Sequence, residues 1–254
     1  MSNEIDIDLG SFNLDTTNSI AIKDINVKVA KAISQADLAK AHGSVIPVGK
    51  RKNMTVQIKG TIIGSDYDAL RTNLDALKAT LEATSEQKLT LDDDRYLMVQ
   101  YSGFGYSYAT LRTFADFTFD LIASDPFWLS ETLTEDERTP SSGVGYTIAN
   151  AGNAPTRVKV TLTKLGSGAV VNDAQLENTT TGEKFQYLGT INSTKALVVN
   201  NRVDDLDLSV ENDGSDDIAN FDGDFITLNP GNNTIKFTGT AGVQVTLEYR
   251  GAWY

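Results

Sequence analysis

Apolar residues recur at every second position in segment after segment of this chain, and one stretch departs from that period. Met54, Val56 and Ile58 alternate with Thr55, Gln57 and Lys59, and Ala115, Phe117, Phe119 and Leu121 alternate with polar partners. So do Val158/Val160/Leu162, Leu206/Leu208/Val210 and Val243/Val245/Leu247/Tyr249, while Arg95–Tyr101 reads as a further strand. A period of two gives a pleated strand one apolar face, so the chain is expected to be mainly β. The exception is Leu70, Leu74, Leu77 and Leu81, whose spacing places all four on one side of a helix. Ser65 and Asp68 form an acid variant of the capping box, and together these signals predict one α-helix over about 66–83.

Two units are expected. The segment Leu129–Gly143 is polar, acidic and closed by turn formers, so it reads as a connection. This predicts an N-terminal domain over 1–130, a linker over 131–143 and a C-terminal domain over 144–254. Charge follows the same division. The first 128 residues hold 13 bases against 17 acids and the rest hold 9 against 17, so the second half carries −8 of the net −12. Turn signals at Thr181-Gly182, Asp213-Gly214 and Asn229-Pro-Gly-Asn-Asn233 separate the later strands and argue for a β-sandwich there. Val29–His42 is rich in Ala, Lys, Gln and Leu and favours a helix weakly by propensity, whereas Ile25/Val27/Val29 and Val45–Val48 look extended.

Much chemistry is removed by composition. The chain has no cysteine and one histidine, His42, so thiol catalysis, disulfides and His-rich metal sites within one subunit are excluded. A pI near 4.5 opposes sustained nucleic-acid binding and adhesion to anionic membranes. No run is long and apolar enough to span a bilayer, and the acidic start Met1–Asp8 lacks the features of a secretory signal. Gly43–Arg51 resembles a phosphate loop only superficially: five residues separate the glycines, and Arg51 stands where Ser or Thr should hold magnesium. Asp92-Asp-Asp94 and the acid-rich run Asp204–Asp224 miss the calcium-loop register and read as solvated turns. His42 reads as a surface or interface residue, and no nucleophile elbow occurs anywhere. Trp128 and Trp253 read as core or interface anchors rather than sugar platforms. Neither a catalytic residue, a cofactor nor a metal is expected.

The order of several short motifs carries a resemblance. Thr55–Gly64, the helix start Asp66-Tyr-Asp-Ala-Leu70, Tyr96-Leu-Met-Val99 and Phe117–Trp128 with its Asp125-Pro-Phe-Trp128 step resemble the siphophage distal tail protein (Dit) family. Ile148-Ala-Asn-Ala-Gly152, Ala154-Pro155, Leu228–Ile235 and Glu248-Tyr-Arg250 are similar to that family's C-terminal domain, and the likeness is closest to members from lactococcal phages. The resemblance implies an N-terminal tail-tube-like β-sandwich with one α-helix and an extended arm, plus a C-terminal galectin-like β-sandwich. It also implies a homo-hexameric ring at the distal end of a virion tail. Such a ring joins the tail tube protein to the tail-associated tip protein and the baseplate or receptor-binding proteins, and lets DNA pass without stable binding or membrane insertion.

The leading expectation is therefore a non-enzymatic structural hub. A carbohydrate-binding adhesion module is the alternative, and a glycan-cleaving enzyme comes third. The arm is expected over about 31–52, where residues form neither a helical stripe nor a long alternating strand. Val45, Ile46 and Val48 would be buried on a neighbouring subunit, with Lys50, Arg51 and Lys52 meeting an acidic surface. A chain with no length to spare for an inserted module is not expected to grip host sugar itself.

Overall fold

In the computed structural model the fold is described for residues 7–32, 36–37, 44–45, 50–91, 94–110, 112–166, 170–192, 196–202, 204, 208–240 and 242–254, with backbone alone over 31–50. The chain divides into two units, Met1–Phe127 and Trp128–Tyr254. It is mainly β, with one α-helix among the described residues.

In the first unit, β1 (Ile7–Leu9), β2 (Ile20–Ala32), β3 (Lys50–Ile63), β4 (Gln87–Leu91), β5 (Arg95–Tyr108) and β6 (Phe114–Ala123) form an antiparallel ladder in the order β2-β3-β6-β5-β4-β1. Every second residue of β3 and β6 points to the core. Val56, Ile58, Ile62, Ala115, Phe117, Phe119 and Leu121 are buried there, as the alternation predicts. Over this face lies α1 (Tyr67–Leu81), which buries Leu70, Leu74, Leu77 and Leu81. Its cap differs from the expected box. Asp66 is the N-cap, and its carboxylate accepts from the Ala69 amide at 2.8 Å, while Asp68 sits in the first turn. An acid at the N-cap satisfies an orphan amide directly, so no Ser/Glu pair is required. Gly64 makes the tight entry to the helix possible: a Cβ there would lie 2.3 Å from the Leu70 nitrogen.

The helical propensity of Val29–His42 does not prevail in the described residues. Val29–Ala32 continue β2, paired with β3 as far as Ala32↔Lys50, and Ala36–Asp37 pair with Ser44–Val45. Ladder hydrogen bonds to a formed neighbour outweigh a propensity difference of a few tenths of a kcal/mol per residue.

The second unit is a two-sheet sandwich. One sheet contains β7 (Trp128–Arg138), β9 (Thr156–Lys164), β12 (Ala196–Asn200), β13 (Ser209–Asn212) and β17 (Val243–Trp253), ordered β13-β12-β9-β17-β7, with β15 (Thr227–Leu228) also paired to β9. The other contains β8 (Gly145–Asn150), β10 (Val171–Asn178), β11 (Glu183–Ile191), β14 (Phe221–Gly223) and β16 (Gly231–Thr238), ordered β8-β16-β10-β11-β14. Between them Val160, Leu162, Leu176, Phe185, Phe237 and Leu247 form a fully buried core. Two-residue turns behave as their sequences require. Asp213 and Gly214 both have positive φ and join Asn212 to its ladder partner Ser215, as a type I′ hairpin does.

Two expectations are corrected here. The linker over 131–143 is a strand as far as Arg138, since β7 pairs with β17 from Trp128↔Trp253 to Arg138↔Val245 across a bulge between Leu129 and Leu133. Most of its side chains face solvent, so it shows no apolar alternation, and its strand character comes from the neighbouring backbone. The alternation Leu206/Leu208/Val210 also fails. Leu206 lies outside the described residues, Leu208 is 66% exposed, and β13 begins at Ser209, leaving Val210 as the buried member.

Candidate assembly interface

The most open element of the first unit is β2. It pairs with β3 along its whole length and, among the described residues, has no strand on its other side. Val27 and Val29 are 40% and 43% exposed. β3 itself pairs with β6 only from Met54 onward, so its first residues and the end of β2 extend past the sheet as a two-stranded hairpin. A long edge carrying exposed valines is a template for pairing with another chain.

At the base of this hairpin the Arg51 guanidinium donates to the Pro126 carbonyl at 3.1 Å and lies 5.6 Å from the centre of the Phe127 ring. Pro126 and Phe127 therefore anchor the hairpin. Lys52 is exposed. Of the other expected arm residues, Lys50 stands opposite Ala32 and Val45 opposite Ala36 in backbone pairing. Ile46, Val48 and His42, and most of Gly43–Arg51, lie outside the described residues. So do Asp92 and Asp93.

The motifs of the second unit prove to be devices that close its turns. Buried Asn150 donates to the carbonyls of Ala154 at 2.9 Å and Leu228 at 3.3 Å and accepts from the Gly152 amide at 2.9 Å. A Cβ on Gly152 would fall 2.0 Å from the Ala252 carbonyl oxygen. Buried Asn233 donates to Asn229 and Gly231 carbonyls and accepts from the Asn229 amide, locking the Asn-Pro-Gly-Asn-Asn turn on itself. Asn178 joins this turn to the Thr227 carbonyl at 2.7 Å. Each carboxamide has its partners inside the fold.

The acid-rich run is spent in the same way. Asp204 accepts from Arg202 at 2.9 Å and Arg250 at 2.7 Å, and Arg202 also reaches Glu248 at 3.0 Å. Burial pushes the Asp204 carboxyl up, but the hydrogen bonds from Arg202 and Arg250 outweigh this and hold it below its ordinary value. Arg250 also donates to the carbonyls of Ser130 and Glu131, inside the β7 bulge. Further along, the Tyr187 hydroxyl bonds Asp217 and accepts from Asn212 at 2.7 Å. Burial together with the Asp217 carboxylate pushes the Tyr187 hydroxyl up to about 12, and the Tyr187 bond holds Asp217 below the usual carboxylate range. Trp128 and Trp253 are half-buried ladder partners. One signal was missed from the sequence: Phe104, Tyr106 and Tyr108 form an aromatic row on β5 that meets Tyr67 at the start of α1.

Residues 151–253 match the family of the siphovirus-type tail component, C-terminal domain. No curated protein matches the sequence. The SPP1 Dit protein, described as a paradigm of the hub adsorption apparatus in phages infecting Gram-positive bacteria, shares the fold with a TM-score of 0.72 at 15% identity, covering 97% of this chain and 98% of that one. A chain of the phage P2 baseplate in its activated conformation superposes at 0.52 with 10% identity, covering 98% of each. The second unit thus resembles the siphovirus-type tail component family in sequence, and the whole chain shares its fold with the SPP1 Dit protein.

Proposed function

We propose that this chain is a non-enzymatic structural hub at the distal end of a phage tail, six copies of which close into a ring between the tail tube and the adhesion device. The observation that carries this reading is the 13-residue edge strand β2, which has no strand on its outer side among the described residues and carries exposed Val27 and Val29. A soluble monomer blunts such an edge; a subunit keeps it for its neighbour. A strand edge meeting a different surface of the next copy is a heterologous contact, which closes as a ring when its rotation allows. The hairpin of β2 and β3 serves as the arm that clasps the neighbour, with Val45, Ile46 and Val48 supplying apolar burial and Lys50, Arg51 and Lys52 the charge. The C-terminal sandwich, of galectin-like form, faces outward toward the tip and receptor-binding proteins.

The central channel of such a ring passes DNA without retaining it. Supporting this, bases on the outer face of the first sheet are matched by acids, Lys23 with Asp116 at 2.6 Å and Lys59 with Asp24 at 3.6 Å. In a chain of net charge −12 the counterion-release term that drives duplex binding is small. Sedimentation equilibrium of the purified chain tests the reading: a mass near six protomers is expected, and a strict monomer at high concentration with no affinity for tail proteins rejects it.

A further inference from the structure

The sheet of the first unit has a second open edge. β4 pairs with β5 only from Tyr96 to Val99, so Gly103–Tyr108 have β6 on one side and, among the described residues, no strand on the other. The aromatic side chains of this segment share a face. Phe104, Tyr106 and Tyr108 stand opposite Phe119, Phe117 and Ala115, which in turn stand opposite Ile58, Gly60 and Ile62 of β3. Ladder partners point the same way, so the row lies at the margin of the core face that α1 covers. Phe104 is half-buried there, and Tyr106 and Tyr108 are 42% and 41% exposed.

The other open edge, β2, bares its apolar side chains on that same face. Ile25, Val27 and Val29 are the ladder partners of buried Ile58, Val56 and Met54. Successive strands in the order β2-β3-β6-β5 are antiparallel, so β2 and β5 run in opposite directions. A copy turned about an axis along the strands therefore brings its β2 antiparallel to this β5, with both apolar rows on one side of the joined sheet. A slip of one residue would send the valines to the other face. Among the registers that keep them in place, the one with Val27 opposite Tyr106 sets Ile25, Val27 and Val29 against Tyr108, Tyr106 and Phe104.

The polar face agrees with that register, which puts Lys28 opposite Gly105 and Asn26 opposite Ser107. A Cβ on Gly105 would meet nothing within 4 Å, and an open depression of about 380 Å³ beside it is lined by Lys59, Ser107, Asp116 and Thr118. A long side chain has room there. The Asp120 carboxylate, opposite Gly103, takes only the Gln57 carboxamide at 2.8 Å among the described residues, which leaves an acid for Lys28. The receiving row is also held in advance by α1. The Lys78 ammonium lies 4.7 Å from the Tyr106 ring centre, and the Tyr67 ring lies 6.0 Å from that of Tyr108, so little side-chain freedom remains to be lost on pairing. We propose that Gly103–Tyr108 are the seat of a neighbouring copy's β2, joined antiparallel with Val27 opposite Tyr106, so that one sheet runs from copy to copy. The two edges differ, so each copy gives one and receives one, as a ring requires. The proposal rests on the hub reading and names the surface that receives the edge.

Cysteine pairs test it, because the chain has no cysteine of its own. Val27→Cys with Tyr106→Cys in the full chain places two thiols at opposite positions of adjacent copies, with Cβ atoms about 4.5–5.5 Å apart and within reach of a disulfide. Oxidation is expected to give a ladder of covalent oligomers ending at six on non-reducing gels. Val27→Cys with Ser107→Cys, whose side chains lie on opposite faces, should link at least about tenfold less. Single variants Val27→Cys and Tyr106→Cys, co-expressed, should give only dimers of unlike chains. Tyr106→Ala should raise the concentration of half-assembly at least about tenfold, as loss of an aromatic anchor does. Preferred linkage of Val27→Cys to Phe104→Cys or Tyr108→Cys overturns the register, and dimers of Val27→Cys alone overturn the head-to-tail seam. A protein that sediments as a ring yet links through none of these pairs overturns the seating of β2 on β5 and leaves the hub reading intact. A strict monomer without affinity for tail proteins rejects the hub reading and the proposal with it.

Discussion

Asn178, Asn150 and Asn233 have their side chains buried, yet each carboxamide finds its partners at turns of the C-terminal sandwich. Removing one such group leaves backbone carbonyls and amides without partners in a dry site. Asn178→Ala should therefore cost about 2 kcal/mol in urea unfolding, and Asn178→Asp should cost as much, because the acid cannot donate to the Thr227 carbonyl. Asp204 makes a pH prediction. Its folded pKa is depressed, so its contribution is present above the unfolded value of about 4 and is lost as pH falls through the lower folded value. Asp204→Asn should lower stability at pH 7 by about 3 kcal/mol, by removing the carboxylate that Arg202 and Arg250 share, and should flatten the stability profile below about pH 4. Thermal unfolding of both proteins across pH 2–7 reads the two effects together.

The elements were legible to the extent that burial left a periodic trace. The helix announced itself through four leucines that all point into the core, and Leu74→Ala should cost about 2–5 kcal/mol for the cavity it opens. Asp66→Ala should cost about 1 kcal/mol through the lost cap, measured by the same denaturant titration. Strand β7 left no such trace. Its residues Thr132–Glu135 are exposed, so an acidic strand and an acidic loop look alike until the partner backbone of β17 is in place. The aromatic row Phe104-Tyr106-Tyr108 was written in the sequence at strand spacing, but its meeting with Tyr67 depends on where α1 starts, which the ladder decides.

At the scale of the molecule, the second unit carries its own two-sheet core and closes with β7 against β17. A fragment of residues 128–254 should fold alone with a cooperative transition. One of residues 139–254 should not, because it strips β17 of a partner strand and removes the two carbonyls that Arg250 holds. Circular dichroism melts of the two fragments check this. For the first unit, Val27→Lys with Val29→Glu places charge on both exposed valines of β2. The double variant should melt within about 1 kcal/mol of the parent, as surface substitutions do, and yet remain monomeric in light scattering.

By itself the sequence determined the mainly β class, the one helix and its buried face, and the turns whose glycines and asparagines accept the left-handed backbone those turns need. These follow from interactions within a few residues, or from a period that burial imposes on any sheet. Tertiary structure alone decided that the acidic segment after Phe127 is a strand and that β2 continues where propensity favoured a helix. It also decided that Asp204 answers two arginines and that Lys78 and Arg112 cover tyrosine rings. Each of those outcomes depends on a partner far along the chain, and no local pattern records a partner until the backbone has brought it within a few ångströms.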